Sequence, residues 1–117
     1  RSCDIWSDDV RDPNYNSMGT LPSNYSDERL FRPDHLYDLV IITNWNWPYA
    51  VKRRGSAIFI HSWRKEAKPT EGCIGLRKDN LLRIAKFIDY GSRLIIPEVL
   101  HDHQRWPSRH EYGLRQN

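Results

Sequence analysis

A mainly β chain with one packed α-helix is the fold that this sequence predicts. Three observations predict it. Short runs rich in β-branched and aromatic residues recur, as in L-Y-D-L-V-I-I, S-A-I-F-I-H and R-L-I-I. Only one stretch, residues 79–88, repeats its apolar side chains at helical spacing. Five tryptophans, six tyrosines and three phenylalanines in 117 residues suit a folded core rather than a disordered chain, although the hydrophobic fraction is only 38%.

Taken in order, residues 1–35 are rich in Asp, Asn, Ser and Pro and read as irregular structure, with Trp6, Tyr15, Tyr25 and Phe31 pinning a long loop onto the core. Residues 36–43 read as a buried strand and residues 56–61 as a second one, which leaves His61 at its end. Between them Asn44 to Pro48 breaks the first strand, and Arg53-Arg54-Gly55 makes a turn. Trp45 is expected in the core. Residues 62–72 form a loop that returns at Cys73-Ile74. Leu81, Ile84, Ala85 and Ile88 then share one helix face, Lys78, Arg83 and Lys86 face water, and Gly91 is the expected stop. Residues 93–96 form a third strand, and residues 98–117 a polar tail. The functional core is thus expected within residues 36–97.

The net charge of +3 is scattered along the chain, with no basic stripe and no nucleic-acid-binding motif, so nucleic acid is not an expected partner. No apolar run approaches the ~20 residues that span a bilayer. The chain opens on Arg1 rather than methionine, the expected sign of a processed or proteolytic end. Two cysteines, Cys3 and Cys73, make no disulfide framework.

His61 and Cys73 raise the chemical question: a catalytic pair, a metal half-site, or two buried residues that share a loop. A thiol attacks carbonyl carbon as thiolate, and a histidine beside it can take the proton and later return one to a leaving amine. Gly72 permits a sharp turn that aims backbone N–H groups, its own and that of Cys73, at the oxyanion of a tetrahedral intermediate. The plainer alternative is a small buried thiol beside Ile74 and Leu76, and a hydrogen-bonded surface imidazole.

The strings G-S-A-I-F-I-H, P-T-E-G-C-I-G-L and D-N-L-L-R-I-A-K-F-I-D-Y-G-S-R-L-I-I resemble the catalytic half of the YkuD family, the L,D-transpeptidases of bacterial cell walls. Upstream, W-S-D-D, D-P-N-Y-N and D-H-L-Y-D-L-V are similar to segments that precede the histidine in one branch, so the resemblance covers residues 6–97. It implies a partial or shortened YkuD-like β-sandwich, with Cys73 as nucleophile, His61 as base, the backbone of Ser62 orienting the imidazole, and Gly72 and Thr70 in the oxyanion turn. Many members place a histidine directly before the Gly-Cys pair and an arginine or asparagine soon after it. Here Glu71 and Gly75 stand there, as in another branch.

The implied substrate is the peptidoglycan stem peptide, the implied acceptor a second stem or a wall-attached protein, and the implied location the bacterial periplasm or cell envelope. No cofactor is implied. Hydrolysis of the same bonds, as an L,D-carboxypeptidase or endopeptidase, and a non-catalytic wall-binding module are the alternatives. Trp63, two residues beyond His61, is the preferred groove wall; Arg64 and Lys65 read as solvated surface charges or, near the site, as candidate partners of a substrate carboxylate.

No metal site is expected. His101-Asp102-His103 has metal-ligand residue types but lies in the polar tail, and Asp8, Asp9 and Asp12 lack the glycine and closing glutamate of a calcium loop, so turn and cap roles are expected of them.

Overall fold

The computed structural model describes residues 1–64 and 70–97. Two three-stranded sheets and one helix make up its regular structure, so the chain is mainly β with one helix. The first sheet is built from β1 (Asp4–Ser7), β2 (Met18–Thr20) and β3 (Asp27–Arg29), with β1 central and both neighbours antiparallel to it. The second contains β4 (Val40–Ile42), β5 (Phe59–Ser62) and β6 (Ile74–Leu76). Here β5 is central, antiparallel to β4 and parallel to β6. The helix α1 (Lys78–Phe87) follows β6 directly and packs against β5.

The first sheet corrects the expectation of irregular structure in residues 1–35. Every residue of β1 is buried, because the strand lies between two others and its side chains reach both the core and the polar cage around Asp12. Ser7 Oγ donates to Asp12 Oδ2 (2.6 Å), and Asp9 accepts from both the backbone and the guanidinium of Arg11, so the carboxylates organise turns. That guanidinium holds the Asp9 carboxyl well below the usual carboxylate range. Of the four aromatics expected to pin this segment, Trp6 and Tyr15 are buried, whereas Tyr25 and Phe31 are exposed.

Trp6 and Phe59 join the two sheets, their rings meeting edge to face with centroids 5.2 Å apart. Asn16, 2% exposed, completes the joint. Its Oδ1 accepts from Trp6 Nε1 (2.9 Å) and the Ala57 backbone N–H (3.1 Å), while its Nδ2 donates to the carbonyls of Trp45 and Asn46. A single side-chain amide thereby fixes the segment that enters β5 against the first sheet.

The second sheet departs from expectation in three places. The first strand shortens to β4, because residues 35–38 close a turn in which Asp38 N–H donates to the His35 carbonyl (3.3 Å) and His35 holds φ at 60°. The next strand begins at Phe59 rather than residue 56, since Ala57 sits at φ 53°, in the left-handed region that a strand cannot contain. Residues 93–96 pair with no strand among the described residues, and Leu94, Ile95 and Ile96 are exposed; the third strand of this sheet is β6, next to the cysteine. Trp45 also differs from expectation: it is exposed, with its indole N–H donating to the Arg54 carbonyl (2.9 Å).

Helix α1 carries the expected face. Leu81 is 1% exposed, Ile84 and Ala85 are half-buried, and Lys78, Arg83 and Lys86 face solvent; Ile88 departs from the expected face and is exposed, because as the cap it has already left the helical conformation. Ile88 N–H still bonds the Ile84 carbonyl (3.1 Å), so the chain turns extended there, three residues before Gly91. Leu81→Ala is expected to cost about 2 to 4 kcal/mol by leaving a cavity, against less than about 0.5 kcal/mol for Leu82→Ala on the exposed side. Urea midpoints of the two variants measure this, and equal midpoints would mean that α1 holds the sheet by another face.

Candidate active site

Strand geometry brings the histidine and the cysteine to one place. In the parallel pair β5–β6, Ile60 stands opposite Ile74 and His61 opposite Gly75. Side chains alternate along a strand, so Phe59, His61 and Trp63 project from one face, and on the partner Gly75, opposite His61, and Cys73, two residues before it, project from the same one. Gly75 lets Trp63 and Thr70 close on the strand opposite His61. A Cβ added there would come within 3.3 Å of Trp63 Cβ and 3.6 Å of Thr70 Cγ2.

His61, 5% exposed, has its Nδ1 2.6 Å from the Ser62 carbonyl oxygen. A carbonyl only accepts, so Nδ1 carries the proton in that bond and the lone pair of the neutral ring lies on Nε2. Ser62 is held in turn by its hydroxyl, which donates to the Leu36 carbonyl (3.3 Å).

Cys73 is half-buried. Its Sγ donates to the Ala57 carbonyl (3.1 Å) and receives the Phe59 backbone N–H (3.5 Å). Burial pushes the thiol above its ordinary range and the nearby Glu28 carboxylate adds to this, while the Phe59 N–H acts in the opposite sense. A carbonyl only accepts, so the bond to Ala57 is one that the protonated sulfur makes. Ala57 turns its carbonyl to the sulfur through its left-handed backbone, a conformation that non-glycine residues adopt only when the surroundings impose it, here through the bond from its N–H to Asn16.

The turn before the cysteine has its own restraints. Gly72 holds φ at 101°, where an L side chain is strained, and a Cβ there would come within 3.3 Å of Ile58 Cδ1. The Thr70 hydroxyl donates to the Cys73 carbonyl, closing the turn across three residues.

A cleft of about 690 Å³ opens over these groups, and His61, Cys73, Thr70, Trp63 and Arg64 all line it. Gly72 and Ser62 are not among its lining residues; Ser62 meets His61 through its carbonyl. Arg64 Nη2 donates to Asp34 Oδ2 (3.1 Å), and Asp34 also takes two bonds from Arg32. These cations keep the Asp34 carboxyl well below the usual carboxylate range. Lys65 lies outside the described residues, as do the His101 and His103 tail and the rest of 98–117. Among the described residues no three His, Cys, Asp or Glu side chains gather in a way that would hold a metal ion, and no helix is long and apolar enough to cross a membrane.

A model of the L,D-transpeptidase catalytic domain, YkuD, matches residues 4–96. The chain belongs to the YkuD family. That family is one of L,D-transpeptidase-type enzymes acting on peptidoglycan and associated with the cell wall. The comparisons with curated proteins and with solved structures found no match.

Three cleft residues escaped sequence reasoning: Glu28 on β3, and Arg32 and Tyr37 in the loop between β3 and β4. Tyr37 meets His61 edge to face, with centroids 5.4 Å apart, and Phe59 at 5.9 Å. Its position in L-Y-D-L-V marks it only as one more apolar strand residue. Glu28 and Arg32 carry no local pattern at all, since Glu28 reaches the cleft from the other sheet and Arg32 from the loop that follows it.

Proposed function

We propose that this YkuD domain is a cysteine-dependent L,D-transpeptidase acting on peptidoglycan stem peptides through an acyl-enzyme on Cys73. One observation carries the reading: His61 and Cys73 share a face of the β5–β6 pair and line one cleft, with His61 Nδ1 committed to the Ser62 carbonyl and Nε2 left as the basic nitrogen.

In the first half-reaction His61 Nε2 takes the Cys73 proton, and the sulfur electron pair attacks the carbonyl carbon of the L,D-configured peptide bond. The oxyanion is received by backbone N–H groups of the Gly72–Cys73 turn. The C–N bond then breaks, His61 returns the proton to the departing amine, D-alanine leaves, and a thioester remains. In the second half-reaction an acceptor amine attacks the thioester, its proton passes to His61, and the C–S bond breaks to regenerate the thiol. Water in the amine's place gives hydrolysis.

The remaining cleft residues take supporting roles. Thr70 braces the turn and borders the substrate path, Trp63 walls the groove, and Arg64 offers a guanidinium to a substrate carboxylate from its anchor on Asp34. The acceptor is an amine of a neighbouring stem or of a wall-attached protein, and the site of action is the bacterial periplasm or cell envelope. No cofactor enters any step.

Incubation with a tetrapeptide-stem fragment tests this, followed by intact-protein and peptide mass spectrometry. A mass increase equal to the stem less D-alanine, mapped to Cys73, is the expected result. Adding an acceptor stem should discharge it into a cross-linked dimer faster than water releases it. An adduct on Cys3, or none, would sink the proposal; discharge to water alone would favour the hydrolase.

A further inference from the structure

The established bonds of His61 restrain only one edge of its ring. The Ser62 carbonyl fixes Nδ1, which leaves the tilt of the imidazole about that hydrogen bond to be set by packing. The packing partner is Tyr37. Its ring lies against both Phe59 and His61, alternate residues on the same face of β5, at interplanar angles of 85° and 69°. The Tyr37 ring is itself restrained at two further points. Its hydroxyl donates to Glu28 Oε1 (2.7 Å), and the Arg32 guanidinium carbon lies 5.2 Å from its centroid. Arg32 Nη1 also donates to the same Glu28 oxygen (3.3 Å), and its Nε and Nη2 grip Asp34 (2.9 and 2.7 Å). Glu28 belongs to the first sheet and His61 to the second, so this chain of contacts spans the cleft.

We propose that Tyr37, tethered by Glu28 and Arg32, is a positioning residue that sets the tilt of the His61 imidazole toward Cys73. This rests on the reading of His61 as the base. Exchange of a proton between Nε2 and sulfur falls steeply with misorientation, and an error of about 1 Å in such a pair costs on the order of 100-fold. The charges on Glu28 and Arg32 hold each other and their own contacts in place, and no proton moves through them. Burial and the Glu28 hydrogen bond push the Tyr37 phenol further above its ordinary range, so it remains a donor to Glu28 throughout the working range of a histidine base.

The test compares Tyr37→Phe and Tyr37→Leu with the wild type in steady-state kinetics on a tetrapeptide stem and in the pH dependence of Cys73 alkylation by iodoacetamide, each repeated with His61→Ala. Tyr37→Leu should lower kcat by about 10- to 100-fold with KM within about twofold. It should also move the alkylation midpoint up, because the imidazole that takes the thiol proton is no longer aimed at the sulfur. Tyr37→Phe, which keeps the ring and loses the tether, should fall between Leu and wild type in both measures. With His61→Ala already present, neither substitution should slow the reaction further. An unmoved midpoint in both Tyr37 variants, or an equal loss with and without His61, would overturn the inference. If His61→Ala itself left the midpoint unmoved, His61 would not be the base, and the proposal would fall with that reading. If His61→Ala moved it and the Tyr37 variants did not, the positioning role alone would fall.

Discussion

Cys73→Ser is expected to lower turnover of tetrapeptide stems by about 10⁴-fold or more and to leave the free energy of urea unfolding within about 1 kcal/mol of wild type. The effect is large because the sulfur is the group that carries the acyl chain. A serine hydroxyl is a far weaker acid than a thiol, and one imidazole tuned to a thiol does not ionise it at neutral pH. The stability change is small because the site already holds a polar hydrogen between Cys73 and the Ala57 carbonyl, which a hydroxyl can supply equally. Stem consumption and product masses, followed beside urea unfolding, separate the two effects. Retained turnover would remove Cys73 from the mechanism, and loss of folding would show that the substitution acts through the turn instead.

His61→Ala is expected to lower the neutral-pH rate by about 10²- to 10⁴-fold, with a large part regained as pH rises. The sign follows from the thiol. Burial raises the Cys73 pKa, so without a local base the thiolate fraction at pH 7 is small and grows about tenfold per pH unit until the thiol titrates. The wild type should be nearly flat over the same interval, because His61 performs the deprotonation there. The same raised pKa makes folding stability fully present below the ordinary thiol range and progressively lost above it, so assays at high pH need a parallel unfolding measurement. A mutant profile parallel to that of the wild type would identify some other base.

Several features were legible in the sequence because local physics settles them. Apolar residues spaced at Leu81, Ile84 and Ala85 mark a helix face wherever the helix docks, and α1 ends within a residue or so of the expected place. The run I-F-I-H marks a buried strand with the imidazole near its end. The glycine before Cys73 marks a backbone that needs the left-handed region, and Gly72 occupies it. Strands of three residues are another matter. In β2, β3 and β6 two side chains at most point the same way, too few to display a period of two, and so D-E-R reads as irregular structure and I-G-L does not stand out as a strand. The run R-L-I-I differs in the opposite sense: its composition suits a strand, but a strand exists only with a partner to bond, and among the described residues it has none.

What the sequence determined by itself is therefore the chemistry on offer: a mainly β chain, one helix, a thiol after a glycine, and an imidazole at a strand end, in motifs that resemble one family. The tertiary structure alone decided which of these groups meet. Parallel pairing of β5 with β6 sets His61 across from Gly75, two residues from Cys73, a relation between residues twelve apart that no local rule encodes. The cleft wall of Glu28, Arg32 and Tyr37 arises because Trp6, Phe59 and Asn16 clamp one sheet to the other. The reason is physical: propensity and side-chain period act over a few neighbouring residues, whereas pairing register and sheet packing are fixed by the total burial of segments far apart in the chain.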